Sequence, residues 1–261
     1  MRVMASCAVL AAACAHAQVP TAAGPPRPCA DELIVAAESY DLDHGAHGHG
    51  LSLDGQRCPA GEWSYLVGAS TFDVSGSRWS IARAGATVRR PSGRTGWMVA
   101  TAGRGRNEAG GFDYAKASGG VAARVAERLH VKAEYEWFDV DVNSGHVGRV
   151  GAIATLGTSA WIDVTLVRSI AGDLPTRAAV VRLDVGSGAT RAFGGVARGR
   201  LLPQVSEIAL GERVPDVRSL QAFAGIVRRF AWGELIAAID RTRSGDSRRE
   251  TYSLGARVTL P

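Results

Sequence analysis

Alternation of apolar and polar residues is the dominant pattern of this chain, and it is clearest at the C-terminus. From Tyr252 to Leu260 the even positions are apolar, whereas the odd positions from Arg249 to Thr259 are polar or glycine. A period of two is that of a β-strand with one apolar face. Because chain ends usually fray unless they are held, a strand that continues to the penultimate residue predicts a sheet in which the last strand has a partner.

Strand-like segments follow one another from residue 62 to this end. Twelve are recognised: 62–74, 78–90, 96–106, 112–124, 129–142, 147–156, 159–169, 175–186, 189–201, 217–230, 233–242 and 249–260. Most are roughly twice the usual strand length of about 5–6 residues, which suits a tilted membrane-crossing strand that needs about 9–11. The pattern predicts an all-β fold: a closed antiparallel transmembrane β-barrel of about 12 strands, with the C-terminal strand closing on the first.

Charged residues recur in these segments on the face opposite the apolar one. They include Lys132, Glu134, Glu136, Asp163, Arg182, Asp184 and Arg257. In a soluble sandwich the charged face would meet water and the apolar faces would form the core. In an outer-membrane barrel the apolar face meets lipid and the polar face lines the interior. Strand length and the export signal described below favour the barrel, so these seven side chains are predicted to face the lumen.

Connection lengths provide an independent argument for the number of strands. Counting from Glu62, every second connection is a tight turn, and the long connection "LPQVSEIALGERVPD" falls at the opposite end. Short periplasmic turns and longer outside loops are typical of bacterial barrels. Adding the apolar run "ELIVAAESY" as a thirteenth strand would move the long loop to the periplasm. The prediction is therefore a barrel over residues 62–261.

The N-terminus has the layout of a secretory signal peptide. Arg2 precedes an apolar run from Val3 to Ala15, and Ala15-His16-Ala17 is an A-x-A cleavage pattern. Residues 1–17 are therefore predicted to be removed, and the mature chain is expected outside the cytoplasm, in the outer membrane. Residues 18–61 are interpreted as an N-terminal periplasmic segment that precedes the barrel.

Two of the cysteines remain after this cleavage. Cys29 and Cys58 would lie in an oxidising compartment, where disulfides persist. A bridge between them would close a loop of about 30 residues and stabilise the fold by roughly 3–4 kcal/mol on the chain-entropy model. A disulfide is predicted, and two free thiols are the alternative.

The final strand also resembles the C-terminal signal that the outer-membrane assembly machinery recognises. Ser253, Gly255, Val258 and Leu260 match its pattern of a polar residue, a glycine and two hydrophobic positions, although the chain ends on Leu260-Pro261 and not on an aromatic residue. The barrel region loosely resembles the YaiO-type outer-membrane proteins, through an early strand opening on Trp79, a "RLDVG" hairpin and a long loop before the last three strands. The resemblance implies a barrel and no particular functional residue.

Composition excludes several classes of protein. The net charge is +5 and the arginines are scattered through alternating strands, whereas nucleic-acid binding requires a basic stripe on one face. Enzyme motifs such as a P-loop, G-x-S-x-G, H-E-x-x-H or CxxC are absent from the sequence. Ser144 with His146 is the one pair that suits a lipid-modifying barrel enzyme. No cofactor is expected.

A histidine-rich stretch, "DHGAHGHG", is the remaining chemical candidate. His44, His47 and His49 are of the type that binds zinc, copper or nickel. The intervening glycines leave the backbone unorganised, so a solvated loop is the favoured alternative to a metal site.

Two functions remain after these exclusions. The first is a non-enzymatic barrel with a structural, surface or export-associated role, and the alternative is a narrow pore for small anionic solutes. The expected partners are outer-membrane lipids, lipopolysaccharide and the barrel-assembly machinery.

Overall fold

The chain forms one closed antiparallel barrel. The computed structural model describes residues 30–42, 47–59, 61–74, 77–107, 110–140, 143–172, 176–200, 218–245 and 247–260. Their strands are β1 Glu32–Leu42, β2 His47–Arg57, β3 Trp63–Val74, β4 Ser77–Arg89, β5 Arg94–Asn107, β6 Gly110–Ala126, β7 Leu129–Val140, β8 Asn143–Leu156, β9 Ala160–Gly172, β10 Arg177–Ser187, β11 Thr190–Arg200, β12 Ser219–Phe230, β13 Gly233–Ser244 and β14 Ser247–Thr259. Each strand pairs with its neighbour in sequence, and β14 returns to pair with β1. The predicted fold class is confirmed.

The described residues contain fourteen strands where the sequence predicts about twelve. The two additional strands, β1 and β2, lie within residues 18–61, so the part of that segment from Glu32 to Arg57 belongs to the barrel wall. Connection lengths exclude the run "ELIVAAESY", which lies in β1, only because β2 is not counted as a strand. β2 opens with histidine and glycine and has no apolar alternation at its start. Adding both strands keeps the number even, so the long loop stays at the same end.

The alternation of the strands separates two surfaces. Outward residues in the middle of the strands are apolar and exposed, among them Val35, Leu51, Val67, Met98, Val121, Val150, Leu166, Val196, Ile226 and Leu254. Inward residues include many buried charged side chains, such as Asp54, Glu136, Asp163 and Arg182. A continuous apolar belt around a closed barrel is the surface that lipid covers. No helix of the described ranges is long and apolar enough to cross a membrane.

The two ends of the barrel differ in their connections. Tight connections at residues 90–93, 127–128, 157–159, 188–189 and 231–232 lie at the end where the barrel begins with Glu32 and finishes with Thr259. Because bacterial barrels have short periplasmic turns, this is the periplasmic end, and the opposite end is the outer end. Gly157 and Gly188 adopt φ of 68° and 55° in these turns, a conformation that favours glycine.

Glycines on the inner face make room for aromatic rings. In the β11–β12 pair, Phe193 lies opposite Gly225 and Phe223 lies opposite Gly195. A Cβ atom on Gly225 would lie 2.3 Å from Cζ of Phe193, and one on Gly195 would lie 2.5 Å from Cζ of Phe223. Each ring therefore covers the glycine of the neighbouring strand, and larger residues would not fit there.

Candidate functional site: the charged interior

The seven charged residues predicted to face the lumen all lie on the inner face of the barrel. The structure adds further inward charges that sequence reasoning missed: Glu32, Asp54, Arg83, Lys116, Arg149, Arg191, Glu234, Asp240 and Arg249. Their positions follow the same two-residue period as the predicted ones. Arg149, for example, shares a face with Val147 and Ile153, and both of those are buried.

The largest group of ion pairs joins β6, β7 and β8. Nη1 of Arg149 lies 2.6 Å from Oε1 of Glu134, and Nη2 lies 3.2 Å from Oε1 of Glu136. Nζ of Lys116 lies 2.8 Å from Oε2 of Glu136. Two cations therefore balance two carboxylates on this part of the wall.

A second pair reaches across an intervening strand. Nζ of Lys132 on β7 lies 2.5 Å from Oδ2 of Asp163 on β9. Between them, β8 presents Gly151, where a Cβ atom would lie 2.9 Å from Cε of Lys132. The hydroxyl of Thr165 donates a 2.9 Å hydrogen bond to Oδ1 of Asp163. Because Gly151 has no side chain, the side chain of Lys132 can cross β8 and reach Asp163.

The same arrangement recurs on β2–β4. Nε of Arg83 donates a 2.5 Å hydrogen bond to Oδ1 of Asp54, and a second nitrogen of the same guanidinium bonds Oδ2. The intervening strand β3 has Gly68, where a Cβ atom would lie only 1.8 Å from Oδ1 of Asp54. The side chains of Asp54 and Arg83 are 3% and 14% exposed. This bidentate pair is therefore almost completely enclosed.

Arg182 combines an ion pair with aromatic contacts. Its Nε donates a 2.6 Å hydrogen bond to Oδ2 of Asp184, and Arg191 lies 3.7 Å from the other oxygen. The guanidinium carbon of Arg182 lies 5.3 Å and 4.8 Å from the ring centres of Trp161 and Phe193. These distances suit cation–π interactions with both rings. The guanidinium of Arg182 therefore contacts one carboxylate and two aromatic rings.

Ion pairs also join the strands at which the barrel closes. Arg257 on β14 lies 3.0 Å from Glu234 on β13 and 3.5 Å from Glu32 on β1. One arginine therefore links the last strand to both of its neighbours. Nearer the outer end, Asp240 accepts a 2.7 Å hydrogen bond from Gln221 and lies 3.7 Å from Arg249.

The interior has an excess of cationic groups. Glu38 accepts a hydrogen bond from the Tyr40 hydroxyl, and an Arg or Lys partner is present for each of Glu32, Asp54, Glu134, Glu136, Asp163, Asp184, Glu234 and Asp240. The inner face also carries Arg89 and Arg124 near the periplasmic end, and Arg124 lies directly opposite His130. Arg124 is exposed there. The described part of the lumen therefore has paired anions and a positive periplasmic mouth.

The outer end of the interior is different in character. Tyr40, Phe72 and Trp79 are almost completely buried there, and the rings of Phe72 and Trp79 stack with centroids 5.8 Å apart. Phe138 and Tyr114 are also buried near this end. Aromatic side chains are therefore packed on the inner face near the outer end, whereas Arg89 and Arg124 lie on the inner face near the periplasmic end.

The histidine cluster that the sequence suggests as a metal site is described only in part. His47 and His49 lie on β2, with Nδ1 of His47 2.5 Å from Oδ1 of Asp41, and His44 lies outside the described residues. Within the described ranges, no group of three or more His, Cys, Asp or Glu side chains is placed to hold a metal ion.

The structure separates the possible catalytic pair Ser144 and His146. Nδ1 of His146 lies 2.5 Å from the hydroxyl of Tyr135, and no hydrogen bond joins it to Ser144 in the described part of the chain. These residues lie on the outward side of β7 and β8, close to the outer end. The arrangement gives Ser144 no oriented base.

The assembly-signal residues and the cysteines lie near the closing seam. Ser253 and Gly255 are on the inner side of β14 and Val258 is on its outer side. Leu260 follows the strand, and its backbone N–H donates a 2.8 Å hydrogen bond to the carbonyl of Asp31. Cys58 is disulfide-bonded, but Cys29 lies outside the described residues, so the Cys29–Cys58 bridge stays a prediction.

Comparison with known proteins places the fold among outer-membrane barrels. No protein-family model and no curated protein matches the chain. The CymD monoaromatic hydrocarbon channel is similar with a TM-score of 0.59 and 11% identity, over 90% of this chain and 89% of CymD. The toluene transporter TodX of Pseudomonas putida gives 0.56 and 12%, over 89% of each chain. Omp33 of Acinetobacter baumannii gives 0.54 and 12%, over 90% of this chain and 100% of Omp33.

At these identities the similarity establishes the fold, and the YaiO-type resemblance stays a prediction. The closed barrel fold agrees with the similar structures. The chain is an outer-membrane β-barrel protein.

Proposed function

We propose that this protein is a narrow outer-membrane channel for small anionic solutes. The observation that carries the proposal is the charge pattern of the described interior, where the carboxylates are paired and the cations are in excess. A paired carboxylate exerts little repulsion on an entering anion. Arg124, which is exposed at the periplasmic mouth, would then set the sign of the local potential.

The shape of the wall strengthens this electrostatic effect. A cleft lined by one sign of charge, with low-dielectric walls, focuses the field and raises the local concentration of ions of opposite charge. Arg89 on β4 and Arg124 on β6 both face inward at the periplasmic end, and Arg229 lies farther round the same end, 3.4 Å from Glu234. A small anion would meet this potential without leaving water.

The polar wall also favours charged solutes over hydrocarbons. CymD and TodX are described as a monoaromatic hydrocarbon channel and a toluene transporter. In the present chain the lumen carries Glu134, Glu136, Arg149 and Lys132 around mid-height of its wall. An apolar solute would gain little there, because it would displace water from charged groups without replacing their hydrogen bonds.

A barrel without a conducting path is the second candidate, with a structural, surface or export-associated role. The density of buried side chains at the outer end favours it, since Tyr40 and Trp79 are 0% exposed and Phe72 is 2% exposed. Ion pairs across neighbouring strands would then serve chiefly to hold the wall together. Neither candidate function requires a catalytic group.

Single-channel recording in planar bilayers separates the two candidates. We expect the purified full-length protein to give discrete conductance steps, with a reversal potential of the anion-selective sign in a KCl gradient. Arg124→Glu should lower that selectivity, because it reverses a charge at the mouth. The matched control is Arg94→Glu on the adjacent strand, which lies at the same end but on the outward face.

The outcomes are distinct. A shift in selectivity with Arg124→Glu and none with Arg94→Glu would support the channel. The absence of steps from correctly folded protein would overturn it in favour of the closed barrel. Cation-selective steps would contradict the proposed solute class.

A further inference from the structure

The outward face of the outer end carries a patch of four arginines on three consecutive strands. They are Arg168 on β9, Arg177 on β10, and Arg198 and Arg200 on β11, and all four are exposed. We refer to these four residues as the outer arginine patch.

Three of these arginines lie side by side. Arg177 is directly opposite Arg168 in the β9–β10 pair and directly opposite Arg200 in the β10–β11 pair. Opposite residues of antiparallel strands have Cβ atoms about 4.5–5.5 Å apart, and like charges in such positions destabilise the sheet. Arg168 and Arg177 therefore repel each other, and a bound anion would reduce this repulsion.

Three of the other outward arginines of the outer end have acidic neighbours. Arg78 lies 3.4 Å from Asp73, Arg104 lies 3.3 Å from Asp113, and Arg241 lies 3.2 Å from Glu250. Among the described residues, no salt bridge involves Arg168, Arg177 or Arg198. The charges of Arg168, Arg177 and Arg198 are thus less compensated by the described part of the protein than the charges of these three arginines.

The patch lies at the edge of the apolar belt. Leu166 and Val164 precede Arg168 on the same face of β9, and Leu183 lies below Arg177 on β10. All three apolar side chains are exposed, at 56%, 41% and 43%. The arginines therefore lie where hydrocarbon gives way to headgroups, and their long side chains can place the guanidinium in that layer.

The opposite interface of the belt has different chemistry. At the periplasmic end the outward residues include Trp63 and Tyr65, whose rings stack with centroids 6.5 Å apart, and Phe230 and Trp232, with centroids 5.6 Å apart. Aromatic residues at this level are typical of a membrane–water interface. The row of opposed arginines is therefore a feature of the outer interface and not a general property of the barrel rim.

From this geometry we infer that the outer arginine patch binds the phosphate groups of the glycolipid in the outer leaflet, the lipid A part of lipopolysaccharide. A guanidinium presents a planar set of donors that matches a phosphate with two parallel hydrogen bonds. Adjacent strands are about 4.8 Å apart, so neighbouring arginines can share one phosphate or hold two phosphates of the same lipid. The acyl chains would then extend along Leu166, Val164 and Leu183.

The test measures lipid binding by the folded full-length protein in detergent micelles. Purified lipid A is titrated by native mass spectrometry against the wild type and against the variant Arg168→Gln/Arg177→Gln/Arg200→Gln. We expect the variant to bind about tenfold more weakly or worse, since charge-assisted hydrogen bonds to phosphate are lost.

The matched control removes the same number of charges from the other end. Arg57→Gln/Arg94→Gln/Arg228→Gln changes three exposed arginines near the periplasmic interface. We expect it to bind lipid A within about twofold of the wild type, a difference well under the 1.4 kcal/mol that corresponds to tenfold. Heat-modifiable migration on gels establishes that each variant is folded. If the patch variant does not fold, Arg177→Lys keeps the charge, loses the paired donors, and should bind with intermediate strength.

Two further probes identify the group that is recognised. Lipid A from which the phosphates have been removed should bind the wild type as weakly as lipid A binds the patch variant. Inorganic phosphate should not compete at concentrations similar to those of lipid A. Equal binding of the wild type and the folded patch variant, undiminished binding of the dephosphorylated lipid, or effective competition by free phosphate would each overturn the inference.

Discussion

Arginine occupies both faces of this barrel wall, and the two sets have opposite surroundings. Inward arginines such as Arg83 and Arg149 are 14% and 19% exposed and form ion pairs with carboxylates. Outward arginines such as Arg168 and Arg177 are exposed and lie opposite each other. The residue type and the strand geometry are the same in both cases. The position of the residue in the two-residue alternation decides whether its charge faces the lumen or the outer surface of the wall.

The inward arginines are expected to stabilise the fold, whereas the outward arginines of the patch are expected to bind lipid. An inward arginine cannot be removed without leaving a carboxylate alone in a poorly hydrated wall, which is costly. An outward arginine can be removed with little effect on the fold, because solvent and headgroups already surround it. Measurements on matched substitutions should therefore separate the two sets.

The largest effect is expected for the Asp54–Arg83 pair. Arg83→Met leaves the buried Asp54 carboxylate without its bidentate partner, and this should lower the free energy of unfolding by about 3–5 kcal/mol. The double variant Asp54→Leu/Arg83→Met should regain most of the loss, because it removes the unpaired charge. The measurement is urea unfolding in vesicles, monitored by heat-modifiable migration. A single variant within about 1 kcal/mol of the wild type would show that the enclosed pair contributes no more than an exposed one.

A smaller effect is expected when a new arginine is placed on each face. Met98 and Val99 are consecutive residues of β5, with Met98 outward and 65% exposed and Val99 inward. Met98→Arg should cost about 2–4 kcal/mol if it lies near the bilayer midplane. Val99→Arg should cost less, because the lumen is polar. The readout is the yield of folded protein in the outer membrane, and a lower yield for Val99→Arg would reverse the assignment of the two faces.

The smallest effect is expected for the outer arginine patch. In vesicles of zwitterionic lipid, Arg177→Gln should change the free energy of unfolding by no more than about 0.5 kcal/mol, with a stabilising sign, because it relieves repulsion from Arg168 and Arg200. The same urea assay measures this change. A loss of more than about 1 kcal/mol would mean that Arg177 has a structural partner and would remove the contrast between the two faces.

Much of the architecture is encoded in local sequence pattern. Alternation over long segments determines which residues face lipid and which face the lumen, since successive side chains of a strand point to opposite sides. Lys132, Glu134 and Glu136 were assigned to the lumen in this way, and the structure places them there. The pairing of the C-terminal strand followed from its regular pattern, because an unpaired strand would fray.

Local alternation does not identify β1 and β2 as strands of the barrel. In β1 the lumen side mixes apolar Ile34 and Ala36 with Glu32 and Glu38, so its polarity does not alternate regularly along the strand. In β2 the glycines and histidines have no apolar period, and pairing with β1 and β3 holds the strand in place. The number of strands was decided by closure of the sheet, which depends on the whole chain.

Tertiary structure alone decided which charges meet. Lys132 and Asp163 are 31 residues apart in sequence, and Arg83 and Asp54 are 29 apart. Each pair depends on the register of three strands and on a glycine, Gly151 or Gly68, in the strand between them. The sequence by itself determined the faces, because alternation is local. The partners were decided by the closed sheet, because register brings together residues that are distant along the chain.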